Sequence, residues 1–325
     1  MIVFDSIAEA VESSPAEVLK AAENPSPSVA GNDPPISPDD VPATTSGVAG
    51  TQAEPMPVEA MDYSAEVAKR LSPEHLAELR SSGLTDKTIV DGNIRTVTDP
   101  DVVARCLASP GGQSFSRPLA ACLALPYWNA DGKPLRVIDP YATPQPDGKP
   151  ATMTYVVMKP STPRVGREGK IVKYETPAGM PAEVCFMPGF AAAMRDKSAT
   201  IIVTEGMKKG YAAAQLGLPV IALSGVWNFT KPRPHDDKGR TVGKAELHSS
   251  LAAVDWSGRK VAVVFDSDAA EKANVLMAEA SLVELLNTEA VTTAMRLNGD
   301  KPCTAFAVRL PAGDKGCKVG LDDFL

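Results

Sequence analysis

From Ala199 onward the chain alternates short apolar runs with longer stretches of helical character, and no other feature restricts its fold as strongly. TIIVT (200–204) leads into Glu205, MKKGYAAAQLG (207–217) has helix composition and closes at Gly217, and PVIAL (219–223) is apolar again. A polar, proline-containing stretch over 228–243 separates these from KVAVVF (260–265), a long helical segment AAEKANVLMAEASLVELL (269–286) and a last strand, FAVRLP (306–311). Short, continuously apolar strands alternating with helices form a mostly parallel sheet covered by helices. The expected class is therefore α/β over 199–325.

Two carboxylate positions sit where predicted strands end. Glu205 follows TIIVT and precedes Gly206, and Asp266 and Asp268 follow KVAVVF as FDSD. In open parallel sheets the carboxyl ends of strands converge on one crevice. Alternate residues of an extended segment face the same side, so Asp266 and Asp268 aim together while Ser267 points away. Three hard oxygen donors without His or Cys suit Mg²⁺ or Mn²⁺, ions that clamp the oxygens of phosphoryl transfer. Read singly, Asp268 could N-cap the following helix and Glu205 could be an ordinary loop acid.

Upstream, Ser72-Pro73-Glu74 starts a helix that Gly83 ends, and Thr85 starts another. LALPYW and PLRVIDPY read as a hairpin around Asp131-Gly132, with MTYVVMKP, KIVKYET and EVCFM as further strands. The segment between Lys159 and Lys173 carries Arg164, Arg167 and Lys170 against one acid, Glu168, either a solvated loop or a nucleic-acid contact. His235 and His248 have no partners at metal spacing and are expected on the surface.

The ordered pair of acidic sites, VTEGMKKGYAAAQLGLPVIALSG followed by VAVVFDSD, resembles a TOPRIM domain, the module of bacterial primases, topoisomerases and some nucleases. ALPYWNADGKPLRVIDPY, KYETPAG, EVCF and the closing VRLPAGDKGCKVGLDDFL follow the order of primase cores, and the likeness is greatest to phage and plasmid primase or primase-helicase proteins. It covers about residues 120–325. Lys208 and Lys209 stand where bacterial primases place an acid, the 228–258 stretch is longer, and neither a zinc ribbon nor a helicase P-loop occurs. The resemblance implies that Glu205 is a metal ligand or general base and that Asp266 and Asp268 hold Mg²⁺ (or Mn²⁺). Lys173, Lys208 and Lys209 would meet phosphates, and Asp322 and Asp323 would supply a second metal position or a helix cap. Trp227 and Asn228 would line a nucleotide site, unless Trp227 packs the sheet edge.

Charge completes the outline. Residues 1–60 hold ten acids and one base, so a chain of net charge −7 has a body near +2 that could face a polyanion. Eight prolines and no aromatic residue between Asn24 and Pro57 predict a disordered leader. The expected organisation is a disordered acidic leader (1–60), a small α+β primase-core-like subdomain (61–198) and a TOPRIM domain (199–325). Five scattered cysteines without CxxC, no signal peptide and no transmembrane run fit the cytoplasm of a bacterial host. The expected activity is Mg²⁺-dependent primer synthesis, with single-stranded DNA and nucleoside triphosphates as ligands and a replicative helicase as partner. A TOPRIM nuclease and a non-catalytic DNA-binding module are the alternatives. The module gains if Asp266 is paired with a basic side chain such as Arg259.

Overall fold

The structure, a computed structural model, describes residues 61–325 except 144, 146, 167–168, 289–301 and 315–316. The expected leader over 1–60 and Arg167 lie outside the described residues. Tyr63–Leu325 forms one compact unit.

The unit opens with α1 (Tyr63–Arg70), α2 (Pro73–Ser81) and α3 (Asp86–Asp91). Ser72 and Thr85 cap α2 and α3 by accepting backbone N–H groups from His75 and Thr88, as expected from their positions. Then come β1 (Arg95–Val97), α4 (Pro100–Cys106), α5 (Gly112–Ser116), β2 (Cys122–Pro126), β3 (Arg136–Ile138), β4 (Thr152–Thr154) and β5 (Val156–Pro160). β1, β2 and β5 make a small antiparallel sheet in that order, and β3 and β4 form a separate ribbon.

The second half contains β6 (Val184–Phe186), α6 (Phe190–Ala193), β7 (Ile201–Glu205), α7 (Met207–Ala214), β8 (Val220–Leu223), α8 (Ser249–Ala252), β9 (Lys260–Val264), α9 (Ala273–Thr288), β10 (Thr304–Val308) and α10 (Leu321–Phe324). Its sheet runs β10-β9-β7-β8-β6, parallel throughout except for β6, which pairs antiparallel with β8 at the edge. Alternation along the strands divides the apolar side chains. Ile201, Val203, Ile221, Leu223, Val261 and Val263 enter a core with Trp256, Leu282 and Leu286. Ala222, Ala262, Val264 and Met187 enter another with Tyr211 of α7, Leu79 of α2 and Leu123 of β2. Helices thus cover both faces, which accounts for the uninterrupted apolar strands.

Two expectations need correction. The expected hairpin forms next to its turn at Gly132, where Asn129 bonds Lys133, Trp128 bridges Pro134 and Leu135 N–H donates to Tyr127 O, but farther out β2 and β3 belong to different sheets. KIVKYET is not a strand; among the described residues its β-pairing is limited to two single bridges, Val165–Ile171 and Met158–Glu175. Its two aliphatic residues, Ile171 and Val172, are adjacent and so point to opposite sides of an extended chain, leaving no apolar face to fix a ladder register.

Candidate functional site

From β7 the chain passes to β8 on one side and later returns to β9 on the other, so the topological switch point lies between β7 and β9. Helices leaving in opposite directions open a crevice at the strands' carboxyl ends there. Glu205 is the last residue of β7, and Asp266 and Asp268 lie just past β9. Gly206 turns the chain from β7 into α7 at φ +99°, a conformation that suits glycine and strains other residues. After β9, Asp266 is extended and a 3₁₀ turn over Ser267–Glu271 follows.

The three acids meet through lysines. The Lys209 ammonium lies 2.5 Å from Asp266 Oδ1 and 3.5 Å from Glu205 Oε2. Lys318 contacts Asp266 Oδ2 and lies 3.8 Å from Asp268 Oδ2, which also accepts a 2.6 Å bond from Lys272. Asp266 is only 8% exposed, and its Oδ1 accepts no hydrogen bond; Lys209 reaches it as an ion contact outside hydrogen-bond geometry. The bond from Lys272, with help from Lys318 and Lys209, holds the Asp268 carboxyl below its usual value. Burial works against the Lys318 ammonium, but Asp266, Asp268 and Glu205 outweigh it and raise its pKa.

Lys318 arrives because the closing segment is tied to the acidic turn. Ser267 N–H donates to Val319 O at 2.9 Å, and Val319 N–H donates to Ser267 Oγ at 2.8 Å. Gly320 leaves room for Lys209: a Cβ there would stand 2.9 Å from Lys209 Cε and 2.6 Å from Asp322 Oδ1. Asp323 caps the last helix by accepting the Gly320 N–H at 2.8 Å, the cap role of its two expected roles.

Other elements close the site. Glu78 of α2 holds Lys208 at 3.1 Å and Lys159 at 2.6 Å, and although burial opposes it, these bonds keep its carboxyl below the usual range. Tyr174 is 42% exposed, yet desolvation and the carboxylates of Glu78, Glu205 and Asp322 push its phenol up to about 12. KYET therefore approaches the acids although it forms no strand.

The remaining expected residues are dispersed. Arg164 is engaged bidentately by buried Glu175 at 2.6 and 3.0 Å, away from any ligand role that needs a free guanidinium. Lys173 and Lys170 are exposed. Trp227 stacks on Phe229 and donates to Asn274 Oδ1 at 2.9 Å, and Asn228 donates to Ser224 Oγ at 2.6 Å. His235 is exposed as expected, but His248 is not: it is 6% exposed, 3.6 Å from Glu183, because its backbone N–H bonds Phe229 O and draws it inward as α8 begins. Arg259 donates to the backbone carbonyls of Asp255, Asp196 and Met194, not to Asp266.

Sequence reasoning missed Lys318, Lys272, Glu78 and Tyr174. Lys318 lay inside a segment already singled out for its acids, and Lys272 is one helical turn from Asp268. Glu78 carries no signal, since only packing of α2 brings it near.

Among the described residues no three Asp, Glu, His or Cys side chains converge closely enough to form a ready metal cage. The donor set nevertheless fits a hard divalent cation. All its donors are carboxylate oxygens, Asp266 Oδ1 lacks a hydrogen bond, and the two ammonium groups at Asp266 carry the same total charge as one such ion. Binding requires Lys209 and Lys318 to withdraw, and the latter is half-exposed.

Comparison with known proteins gives one family and a set of folds. Residues 190–324 match a domain of unknown function, DUF3854. No curated protein matches the chain. Among solved structures it is similar to the zinc-binding and RNA polymerase domains of the Aquifex aeolicus primase, with 13% identity over 78% of this chain and 52% of that one and a TM-score of 0.42. It is also similar to the DnaG catalytic core, with 13% identity over 81% of this chain and 73% of that one (TM-score 0.40). The primase fragment of the bacteriophage T7 primase-helicase protein aligns at 10% identity over 75% of this chain and 66% of that one, with a TM-score of 0.35. The chain spans about half the length of the Aquifex primase fragment. No helix among the described residues is long and apolar enough to cross a membrane.

Proposed function

We propose that this chain is a primase-type nucleotidyltransferase of a phage or plasmid, extending primers on single-stranded DNA with nucleoside triphosphates in a TOPRIM-like, Mg²⁺-dependent site. The observation that carries this reading is the meeting of Glu205 with Asp266 and Asp268, through shared lysines, at the switch point of the parallel sheet. Asp266 and Asp268 would hold Mg²⁺ or Mn²⁺, whose chemistry here is to neutralise charge on the transferring phosphate. Glu205 would accept the proton of the attacking 3′-hydroxyl as its oxygen bonds the α-phosphorus and pyrophosphate leaves. Lys208 and Lys209 would meet phosphates, with Lys173, Lys170 and Arg167 along a template strand and Asp322 as a further acid. A replicative helicase would supply the unwinding that this chain's motifs do not.

One observation favours a second reading. Asp266 is paired with two lysines, as an acid with a purely structural role would be, and a non-catalytic nucleic-acid-binding module accounts for that pairing. Single-stranded DNA, all nucleotides and Mg²⁺ are incubated with the parent chain and with Asp266→Asn. Oligomer synthesis by the parent and its loss in the variant support priming. Shortening of end-labelled DNA points to a nuclease, and absence of any product with metal-independent DNA binding points to the module.

A further inference from the structure

A second cleft, of about 340 Å³, opens among β1, the end of α4 and the β3–β4 ribbon. Arg95 of β1, Arg105 in the last turn of α4 and Arg136 of β3 line it, and none of its lining residues is acidic. Among the described residues none of the three guanidiniums has a carboxylate partner. Arg136 is instead held by neutral oxygens: its Nη1 donates to Thr154 Oγ1 at 3.1 Å, and its Nη2 donates to Thr152 O and Oγ1 at 2.7 and 2.9 Å. Among the described residues Arg95 likewise bonds a carbonyl, Asn93 O at 3.4 Å. Three guanidiniums, of which Arg136 is the one held in place, therefore line one space with no carboxylate partner among the described residues, an arrangement whose mutual repulsion an anion relieves.

The rest of the wall is apolar. Trp128, Pro126, Pro134 and Met153 border the cleft, and the Trp128 indole plane is fixed by donation of its N–H to Tyr211 Oη at 3.3 Å. A planar guanidinium fork matches phosphate oxygens, and an immobilised indole beside it offers a face on which a base stacks. The volume lies at the low end for small-ligand sites, on the scale of one nucleotide.

We propose that this cleft binds one nucleotide unit, phosphate on Arg95, Arg105 and Arg136 and base against Trp128, taken either from a single strand or from a free nucleoside triphosphate. The inference stands apart from the acid cluster, because binding here needs neither a divalent ion nor chemistry. Cys106 reports on it, since its half-buried thiol lines the cleft beside Arg95 and Arg105.

The test uses the full chain carrying Cys317→Ser, which removes the exposed thiol and leaves Cys106 as the most accessible one. Alkylation of Cys106 and anisotropy of a labelled oligothymidylate are followed in chelator, so that failure of primer synthesis does not affect the result. Oligothymidylate or ATP slows alkylation at least fivefold if the site exists; protection by the strand alone identifies a strand subsite, and protection by ATP alone identifies a free-nucleotide site. Arg105→Ala with Arg136→Ala, both on exposed residues, then weakens the protecting ligand at least tenfold. For the strand, it also flattens the salt dependence by about one to one and a half in log–log slope. Arg105→Lys restores part of the affinity. The proposal is overturned if neither ligand protects Cys106, or if the double alanine variant binds the protecting ligand as the parent does.

Discussion

Lys209 and Lys318 both pair with Asp266 at the acidic site. Each competes for Asp266 with any cation that approaches. Replacing Lys318 by Met, which keeps most of the stem and removes the charge, should tighten Mn²⁺ binding several-fold by calorimetric titration, whereas Asp266→Asn should weaken it by at least tenfold. If Lys318→Met binds Mn²⁺ no better than the parent, the lysine does not occupy the ion's position. Gly320→Ala probes the same region sterically, since its Cβ would press on Lys209 Cε. The positions of Glu205, Asp266 and Asp268 were legible because strand ends are legible. Their partnership with Lys318 was not, because it rests on a hydrogen-bonded tie between Ser267 and Val319, more than fifty positions apart, which no local pattern encodes.

At the scale of elements, α7 lies unusually close to the sheet. A Cβ on Gly210 would stand 2.9 Å from Ala222 Cβ and 3.0 Å from Met187 Sδ. Gly210→Val should therefore destabilise the fold by about 1–3 kcal/mol, as overpacking of a tight contact does, measurable by urea denaturation. It should also disturb Lys208 and Lys209 on the same helix. α2 makes a pH-dependent contribution through His75, which contacts Thr96 Oγ1 at 2.8 Å and whose burial lowers its pKa from 6.5. Unfolded chains take up a proton below 6.5 that the folded imidazole resists, so stability falls as the pH drops through that value and the slope lessens in His75→Gln. Equal slopes in the two proteins would remove His75 from the account. The strand–helix alternation after Ala199 was readable because each strand is apolar on both faces. The small sheet was read less well, since its strands are short and their pairing skips from β2 to β5 across an intervening ribbon.

Across the whole molecule, one apolar core joins Leu79 of α2, Leu123 of β2, Tyr211 of α7 and Val264 of β9. β6 likewise reaches from the first half into the main sheet by pairing with β8. Residues 63–325 should then melt in a single calorimetric transition, with Leu79→Ala and Leu282→Ala lowering the same midpoint, each by about 2–5 kcal/mol of stability. Two separable transitions, each answering to only one substitution, would show that the halves fold independently. The pairing of each acid with an ammonium has a consequence for how the protein matures. Its carboxylates need no bound ion to relieve mutual repulsion, so newly made chains could reach their final shape in magnesium-starved surroundings. A chelator should then leave the melting midpoint unchanged, even where it abolishes the proposed activity.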